Sequence, residues 1–372
     1  MKYFLLVGEA SGDQHASYLM KSILKKDDQA EFRFWGGPLM ENISGDKAKK
    51  HINELAFMGF WEVLVNLKSI LRNFKKAKQD ILEHKPDVLI LVDYPGFNLR
   101  MAEWAHKKGI KTAYYIAPSA WAWKENRVKK LGKYTDVLLT ILPFEEKFFR
   151  DRGVEQTIFT GNPLMDHFSS FKVNSEGFQA DNQVFGIFPG SRKQEVQHML
   201  PEIQPLFDQY PDTKFGISRA LQLKDDNQLY DDFILKYKNV NIYTNRQYDL
   251  FSHCNAALVK SGTSTLEAAL LNVPQSVIYK ANPISYSIAK RVVKVKYISL
   301  VNLILDEKLV EECIQHDVNP QRLAQQFEQL QDSGEQERIK NGYQRLRNIL
   351  GGPGASDRAA DEIVKVASRE KK

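Results

Sequence analysis

The chain repeats one phrase: a short apolar run, a turn rich in Gly, Pro or Asp, and then a stretch of helical spacing. Residues 3–7 lead into Gly8-Glu9-Ala10-Ser11-Gly12-Asp13 and a helix over 15–25. Val88-Leu89-Ile90-Leu91-Val92 leads into Asp93-Tyr94-Pro95-Gly96 and a helix over 98–108. Continuous apolar runs suit strands buried on both faces, and a helix returning the chain between them makes such strands parallel. Further strands are expected at 111–116, 137–141 and 157–159. The text then turns polar around 171–183, as a linker does, and a second series begins at 184–188, 214–218, 240–243, 256–259 and 275–279. The expectation is an α/β chain of two Rossmann-like, doubly wound halves. The tail after Asn302 reads as helical, broken at Gly351-Gly352-Pro353-Gly354 before a last helix from Ser356. Parallel sheets hold ligands beyond the carboxyl ends of their strands, so the turns are where chemistry belongs.

Composition narrows the class. With 372 residues, 43% of them hydrophobic and 26% charged, the chain can build two cores and is neither disordered nor collagen-like. Its two cysteines, Cys254 and Cys313, make no disulfide framework or cysteine metal site, and a reducing compartment is the simplest setting. No apolar run approaches the roughly 20 residues of a membrane span. The N-terminus lacks the apolar core of a signal peptide and reads as a strand. The eight histidines show no metal-ligand spacing, so no metal is assigned. A net charge of +6 fits a phosphorylated substrate, an anionic membrane, nucleic acid or none of these, and no nucleic-acid motif accompanies it.

Each turn admits a functional and a purely structural account. Gly8 and Gly12 are four apart and flanked by Glu9 and Asp13; carboxylates at a helix start repel a pyrophosphate, which disfavours nicotinamide binding. Glu9, Ser11, Gly12 and Asp13 fit a sugar-hydroxyl or acceptor site, or else a tight turn capped by Ser11 or Asp13. Asp93 ends an apolar strand, where burial raises a carboxyl's pKa, and is the general-base candidate; an Asx turn ordering Pro95-Gly96 is the other account. Ala117-Pro118-Ser119-Ala120-Trp121-Ala122-Trp123 sets two of five tryptophans beside Lys124 and Arg127, suiting sugar rings and acyl chains as well as ordinary packing. Phe188-Pro189-Gly190-Ser191-Arg192 offers backbone amides and a guanidinium to a diphosphate, without the lysine of a P-loop. Lys260-Ser261-Gly262-Thr263-Ser264-Thr265-Leu266-Glu267 is the strongest local signal. Its small residues admit a phosphate to a helix N-terminus and Glu267 suits ribose hydroxyls, while Ser264 and Glu267 also have capping-box spacing. Residues 55–64, apolar and followed by a basic amphipathic helix over 67–76, suit either an anionic membrane with a lipid tail or core packing with a solvated back.

Together these residues closely resemble the lipid-A-disaccharide synthase family, bacterial glycosyltransferases. The likeness is carried by the motif from Gly8 to Asp13, Met58-Gly59, 93–100, 118–123, Gly161-Asn162-Pro163-Leu164, 189–192, 261–267 and Tyr297-Ile298-Ser299-Leu300-Val301-Asn302-Leu303, in the family's order over nearly the whole chain. The resemblance implies the GT-B fold, two Rossmann-like domains facing a central cleft with C-terminal helices. Residues 1–175 would form the acceptor and membrane-facing domain, 182–345 the UDP-sugar domain, and 346–372 a helical segment packing back on an N-terminal domain. It implies transfer from UDP-2,3-diacylglucosamine to the 6-hydroxyl of 2,3-diacylglucosamine 1-phosphate (lipid X), with inversion to a β-1′,6 linkage and release of UDP.

In that scheme Asp93 is the base, and Glu9, Ser11, Gly12, Asp13, Met58, Trp61, Asn98, Ser119 and Trp121 contact the acceptor. Gly190, Ser191, Arg192, Ser261, Gly262, Thr263, Ser264, Thr265, Glu267 and Asn302 hold the UDP-sugar, with no cofactor or metal. Also implied are a peripheral place on the cytoplasmic face of the inner membrane and a homodimer with exchanged C-terminal segments. The chain departs from the family's pattern at Gly96, where a second aspartate is frequent, at Phe188, where leucine is, and at Asn162, where many members carry histidine. Two other readings compete: a soluble GT-B relative such as a UDP-N-acetylglucosamine 2-epimerase, against which the apolar residues 57–64 speak, and a non-enzymatic basic protein binding RNA or an anionic surface.

Overall fold

The structure, a computed structural model, describes residues 1–55, 67–122, 125–178, 184–292 and 295–370. The chain forms two units, Met1–Ser169 with Leu350–Lys372, and Ser170–Ile349.

The first unit carries strands β1 (Lys2–Leu6), β2 (Glu31–Gly36), β3 (Lys50–His51), β4 (Val88–Val92), β5 (Thr112–Tyr115), β6 (Val137–Thr140) and β7 (Thr157–Phe159). Between them run α1 (Ala10–Leu24), α2 (Pro38–Ser44), α3 (Leu67–His84), α4 (Pro95–Lys107), α5 (Arg127–Tyr134), α6 (Pro143–Arg150) and α7 (Pro163–Ser170). The strands pair in parallel in the order β3-β2-β1-β4-β5-β6-β7. Side chains alternate across this sheet. Tyr3, Leu5, Val88 and Ile90 pack on one face with Ala16, Leu19 and Ile23, while Phe4, Leu6, Leu89 and Leu91 pack on the other with Phe74, Ala77, Met101 and Ala105. All five residues of β4 are buried, as its unbroken apolar run requires.

The second unit carries β8 (Val184–Phe188), β9 (Phe215–Arg219), β10 (Val240–Thr244), β11 (Cys254–Lys260), β12 (Gln275–Tyr279) and β13 (Glu312–Ile314). Its helices are α8 (Lys193–Gln209), α9 (Asp231–Lys236), α10 (Gln247–Ser252), α11 (Thr263–Leu270), α12 (Pro283–Val292), α13 (Leu300–Leu305), α14 (Pro320–Gln331) and α15 (Ser333–Leu350). The parallel order is β10-β9-β8-β11-β12-β13, again 3-2-1-4-5-6 in chain order. The last helix, α16 (Ala355–Ser368), belongs to the first unit: Ala359, Ala360, Ile363 and Val366 join the core face built on Tyr3 and Leu5.

Three features differ from expectation. Strands β2, β3 and β13 were not anticipated: β2 mixes Glu31 and Arg33 with its apolar residues, and β3 and β13 are two and three residues long. The tail after Asn302 is therefore not wholly helical. The stretch after residue 170 belongs to the second unit, where Asn174 N–H donates to Asp249 Oδ1 (2.8 Å), Arg246 donates to the carbonyls of Asn174 and Glu176, and Phe178 stacks on Tyr243 and His253. At the other boundary α15 runs unbroken through residue 346, and the returning segment starts at Leu350.

Candidate active site

In each unit the strand order reverses between the first and fourth strands in chain order, and the turns after those two strands carry the motifs singled out above. In the first unit these are the turns after β1 and β4. Asp93 and Tyr94 both have left-handed backbone (φ 44° and 47°), an arrangement that non-glycine residues keep only when their surroundings hold it. Asn98 holds it. Its Nδ2 donates to the carbonyls of Asp93 (2.8 Å), Val92 (3.1 Å) and Leu6 (3.4 Å). The Tyr114 hydroxyl donates to the Asp93 carbonyl (2.7 Å), and the Asp93 N–H donates to Tyr115 O (3.0 Å). Gly8 is required by the same turn, because a Cβ there would lie 2.5 Å from the Tyr94 ring. Next to it, β5 is followed by Ile116, a β-branched residue at φ 63°.

Burial and the neighbouring Glu9 carboxylate push the Asp93 carboxyl up to about 6, with the Tyr94 N–H and the Arg127 charge acting the other way. A carboxyl poised there is divided between acid and carboxylate near neutrality, as a general base needs. Glu9 occupies the N-cap position of α1 and its charge acts on both Asp93 and Tyr94. Ser11 is exposed in the first turn of that helix.

The remaining residues of the first turn are structural. Asp13 is 2% exposed, and its carboxylate accepts from the N–H groups of Gly37 (2.9 Å), Leu39 (3.1 Å) and Met40 (3.2 Å). It caps α2, so neither the acceptor role nor the cap on its own helix holds for it. Gly12 is buried where a Cβ would lie 2.8 Å from Val7 Cγ1, which makes it a packing residue rather than an acceptor contact. Asn98 is likewise fully buried, its Nδ2 engaged by the Asp93 turn.

In the loop after β5, Ser119 is exposed and Trp121 is half-buried, its ring edge-on to Phe144 at 5.1 Å. The Trp121 indole N–H donates to Glu145 Oε1 (2.9 Å), while Glu145 Oε2 accepts from the N–H groups of Leu142 (3.0 Å) and Ile141 (3.2 Å). Burial pushes the Glu145 carboxyl up to about 7 despite those three donors. Glu145 was not foreseen; Pro143-Phe144-Glu145 reads in sequence only as a helix start. Met58, Trp61, Trp123 and Lys124 lie outside the described residues.

In the second unit the turns after the neighbouring strands β8 and β11 lie side by side. Gly190 (φ 108°) precedes exposed Ser191 and Arg192, the N-cap residue of α8. Gly262 (φ 148°) is the N-cap residue of α11, with open space where a Cβ would stand, and Thr263 beside it is exposed. Glu195 and Lys260 join the two turns through an ion pair of 2.8 Å, another feature missed in sequence. Ser261 Oγ donates to Ile298 O (2.7 Å) and Thr265 Oγ1 to Gly262 O (2.8 Å), so these hydroxyls brace the turn.

Because α11 starts at Thr263, Ser264 lies inside the helix and the expected capping box does not form. Glu267 instead accepts from Tyr248 OH (3.1 Å), and burial pushes its carboxyl up to about 7 against the Tyr248 and Ser264 hydroxyls. Asn302 is fully buried. Its Nδ2 donates to Val310 O and Glu312 Oε1 (2.9 Å each) and its Oδ1 accepts from Leu309 and Val310 N–H, a knot that fixes the 298–302 turn and leaves no amide for a nucleotide.

Comparison with known proteins agrees with this layout. The lipid-A-disaccharide synthetase family model matches residues 3–365. The lipid-A-disaccharide synthase of Geobacter sulfurreducens is 34% identical over 379 residues, covering 99% of this chain and 98% of that one; the enzyme of Nitrosococcus oceani is 35% identical over 358 residues, covering 93% and 92%. Among solved structures, UDP-GlcNAc 2-epimerase from Neisseria meningitidis bound to UDP-GlcNAc superposes with a TM-score of 0.69 at 16% identity, covering 98% of this chain and 100% of that one. The calicheamicin glycosyltransferase CalG4 gives 0.58 at 16%, covering 100% and 99%. At such identities the structural likeness establishes the fold, GT-B, with two Rossmann-like units. The sequence matches establish more: the chain belongs to the lipid-A-disaccharide synthetase family, glycosyltransferases that make the lipid A disaccharide.

Proposed function

We propose that the chain joins UDP-2,3-diacylglucosamine to 2,3-diacylglucosamine 1-phosphate by inverting transfer. The observation that carries the reading is Asp93: a carboxyl raised to about 6 on a rigidly braced turn at the reversal of the first sheet. Asp93 takes the proton of the acceptor's 6-hydroxyl as that oxygen attacks the anomeric carbon from the face opposite the diphosphate. The anomeric C–O bond breaks, and its electron pair leaves with UDP. Arg192 and the N–H groups opening α11 take up that developing charge, and donors fixed before reaction cost no reorganisation during it. Glu9, Ser11, Ser119 and Trp121 remain as acceptor contacts of the first unit, and Glu267 as the ribose contact of the second.

The enzyme works on lipid from outside the bilayer. Among the described residues no helix is long and apolar enough to cross a membrane. The outer face of α3 exposes Lys68, Arg72, Lys75 and Lys76 around Leu71, which suits anionic headgroups, while its Phe74, Ala77 and Ile81 pack on the sheet. The working form is a homodimer peripheral to the cytoplasmic face of the inner membrane, with C-terminal segments exchanged between copies.

The test incubates the protein with both diacylated substrates in a membrane mimetic and follows UDP release and the disaccharide by mass spectrometry. Formation of the β-1′,6 disaccharide is expected, and its absence sinks the proposal. Asp93→Asn is expected to lower turnover at least about a hundredfold with donor binding retained.

A further inference from the structure

We propose that Lys260 is a second cation for the diphosphate of the nucleotide sugar, and that Glu195 stands in for that diphosphate until it binds. The proposal rests on the reading of the turns at 190–192 and 261–265 as the diphosphate site.

Glu195 is bound as an anion would be. Its Oε1 lies 2.8 Å from Lys260 Nζ and 3.6 Å from Arg192 Nη1, and its Oε2 accepts the Arg192 backbone N–H (3.3 Å) at the N-cap of α8. Two cations and a helix-start amide, drawn from turns at two neighbouring strand ends, therefore converge on one carboxylate. These are the donor types that bind phosphate at helix N-termini. Gly190 is part of the fit, because a Cβ there would overlap Glu195 Oε2. Lys260 is the last residue of β11, its side chain 19% exposed, with Nζ 6.0 Å from the ring centroid of Tyr279 at the end of β12. It thus stands at the carboxyl end of the sheet, immediately before the Ser261-to-Thr265 turn.

The charges explain why such an arrangement is useful. Lys260 and Arg192 bring positive charge to the carboxyl ends of β8 and β11, which attracts the anionic UDP-sugar. Both cations are already ordered on Glu195, so little side-chain freedom is lost when the diphosphate replaces it. Glu195 also competes for them after transfer, which lowers the affinity for UDP and speeds its departure, and product release is the slow step in many enzymes.

A plain structural ion pair predicts that losing either partner weakens UDP binding. The proposal predicts opposite signs. By titration calorimetry, Lys260→Met is expected to weaken UDP about tenfold, the scale of one charge-assisted contact. Lys260→Arg is expected to restore it, and uridine, lacking phosphate, is expected to bind all of them alike. Glu195→Gln, which keeps the shape and removes the charge, is expected to tighten UDP about fivefold. Weakening by both Lys260→Met and Glu195→Gln overturns the proposal, as does unchanged UDP affinity in Lys260→Met while Arg192→Ala loses it. Unchanged affinity in Arg192→Ala, or no UDP binding by the wild type, overturns the diphosphate reading itself.

Discussion

Ionising Asp93 in the folded protein places a negative charge in a part-buried turn beside Glu9, which is why its pKa stands near 6 and not at 3.8. Between those two values the folded state holds a proton that the unfolded chain has lost. Stability attributable to this group therefore falls as pH rises from about 4 to about 6, and the loss is complete above that. Asp93→Asn removes the penalty: its melting temperature is expected to exceed the wild type's at pH 8, by an amount equivalent to about 3 kcal/mol, and to approach it near pH 4. Calorimetry at the two pH values decides, and equal differences at both would reject the assignment. The same carboxyl must be ionised to act as a base, so kcat/KM is expected to rise with pH along an acid limb with an apparent pKa of about 6. In sequence Asp93 was legible because it closes an apolar run. Asn98 was legible only as part of a motif, and its role, tying the carbonyls of Val92 and Asp93 to that of Leu6 in β1, exists only once β1 and β4 are adjacent.

Two helices begin on a carboxylate borrowed from another element. Asp13 of α1 caps α2, and Asp166 of α7 caps α16 by accepting from the N–H groups of Gly354, Ala355 (3.1 Å) and Ser356 (2.7 Å). Local capping rules look within about four residues and so cannot find either one. The last helix is held at both ends, since Lys111 Nζ donates to Ala367 O (2.9 Å) and Arg358 Nε to Thr160 O (2.7 Å) near its start. Asp166→Ala is expected to cost about 1–2 kcal/mol, the usual worth of a cap. Hydrogen exchange should show it as faster exchange in the first turns of α16 with α14 and α15 unchanged; uniform acceleration across the chain would mean that Asp166 does more than cap. Short strands were similarly hidden: β3 and β13 have too few residues to show a period, and only their pairing with β2 and β12 identifies them.

At the scale of the molecule, the first unit is discontinuous in sequence. Without α16, the face built on Tyr3, Leu5, Val88 and Ile90 loses Ile363, Val366 and the three alanines Ala359, Ala360 and Ala367, and exposed apolar area of that kind is enough to unfold a domain. Residues 170–349 expressed alone are expected to unfold cooperatively in urea, and residues 1–169 alone are expected not to, with a peptide of 350–372 restoring the transition. A cooperative transition in 1–169 by itself would contradict the docking of α16. The sequence by itself determined the class of fold, the two βα series, ten of whose strands it places, and the turns that bear the motifs, because burial on both faces writes an apolar run and a tight turn writes Gly, Pro and Asp locally. Which motif residues keep an exposed side chain was settled by tertiary packing alone. Asp13, Asn98 and Asn302 sit in the same motifs as the exposed Ser11 and Ser119, yet Asp13 accepts from the Gly37 N–H 24 positions away, Asn98 donates to the Leu6 carbonyl 92 positions away and Asn302 to Glu312 Oε1 10 positions away, and such bonds leave no periodic mark in a sequence.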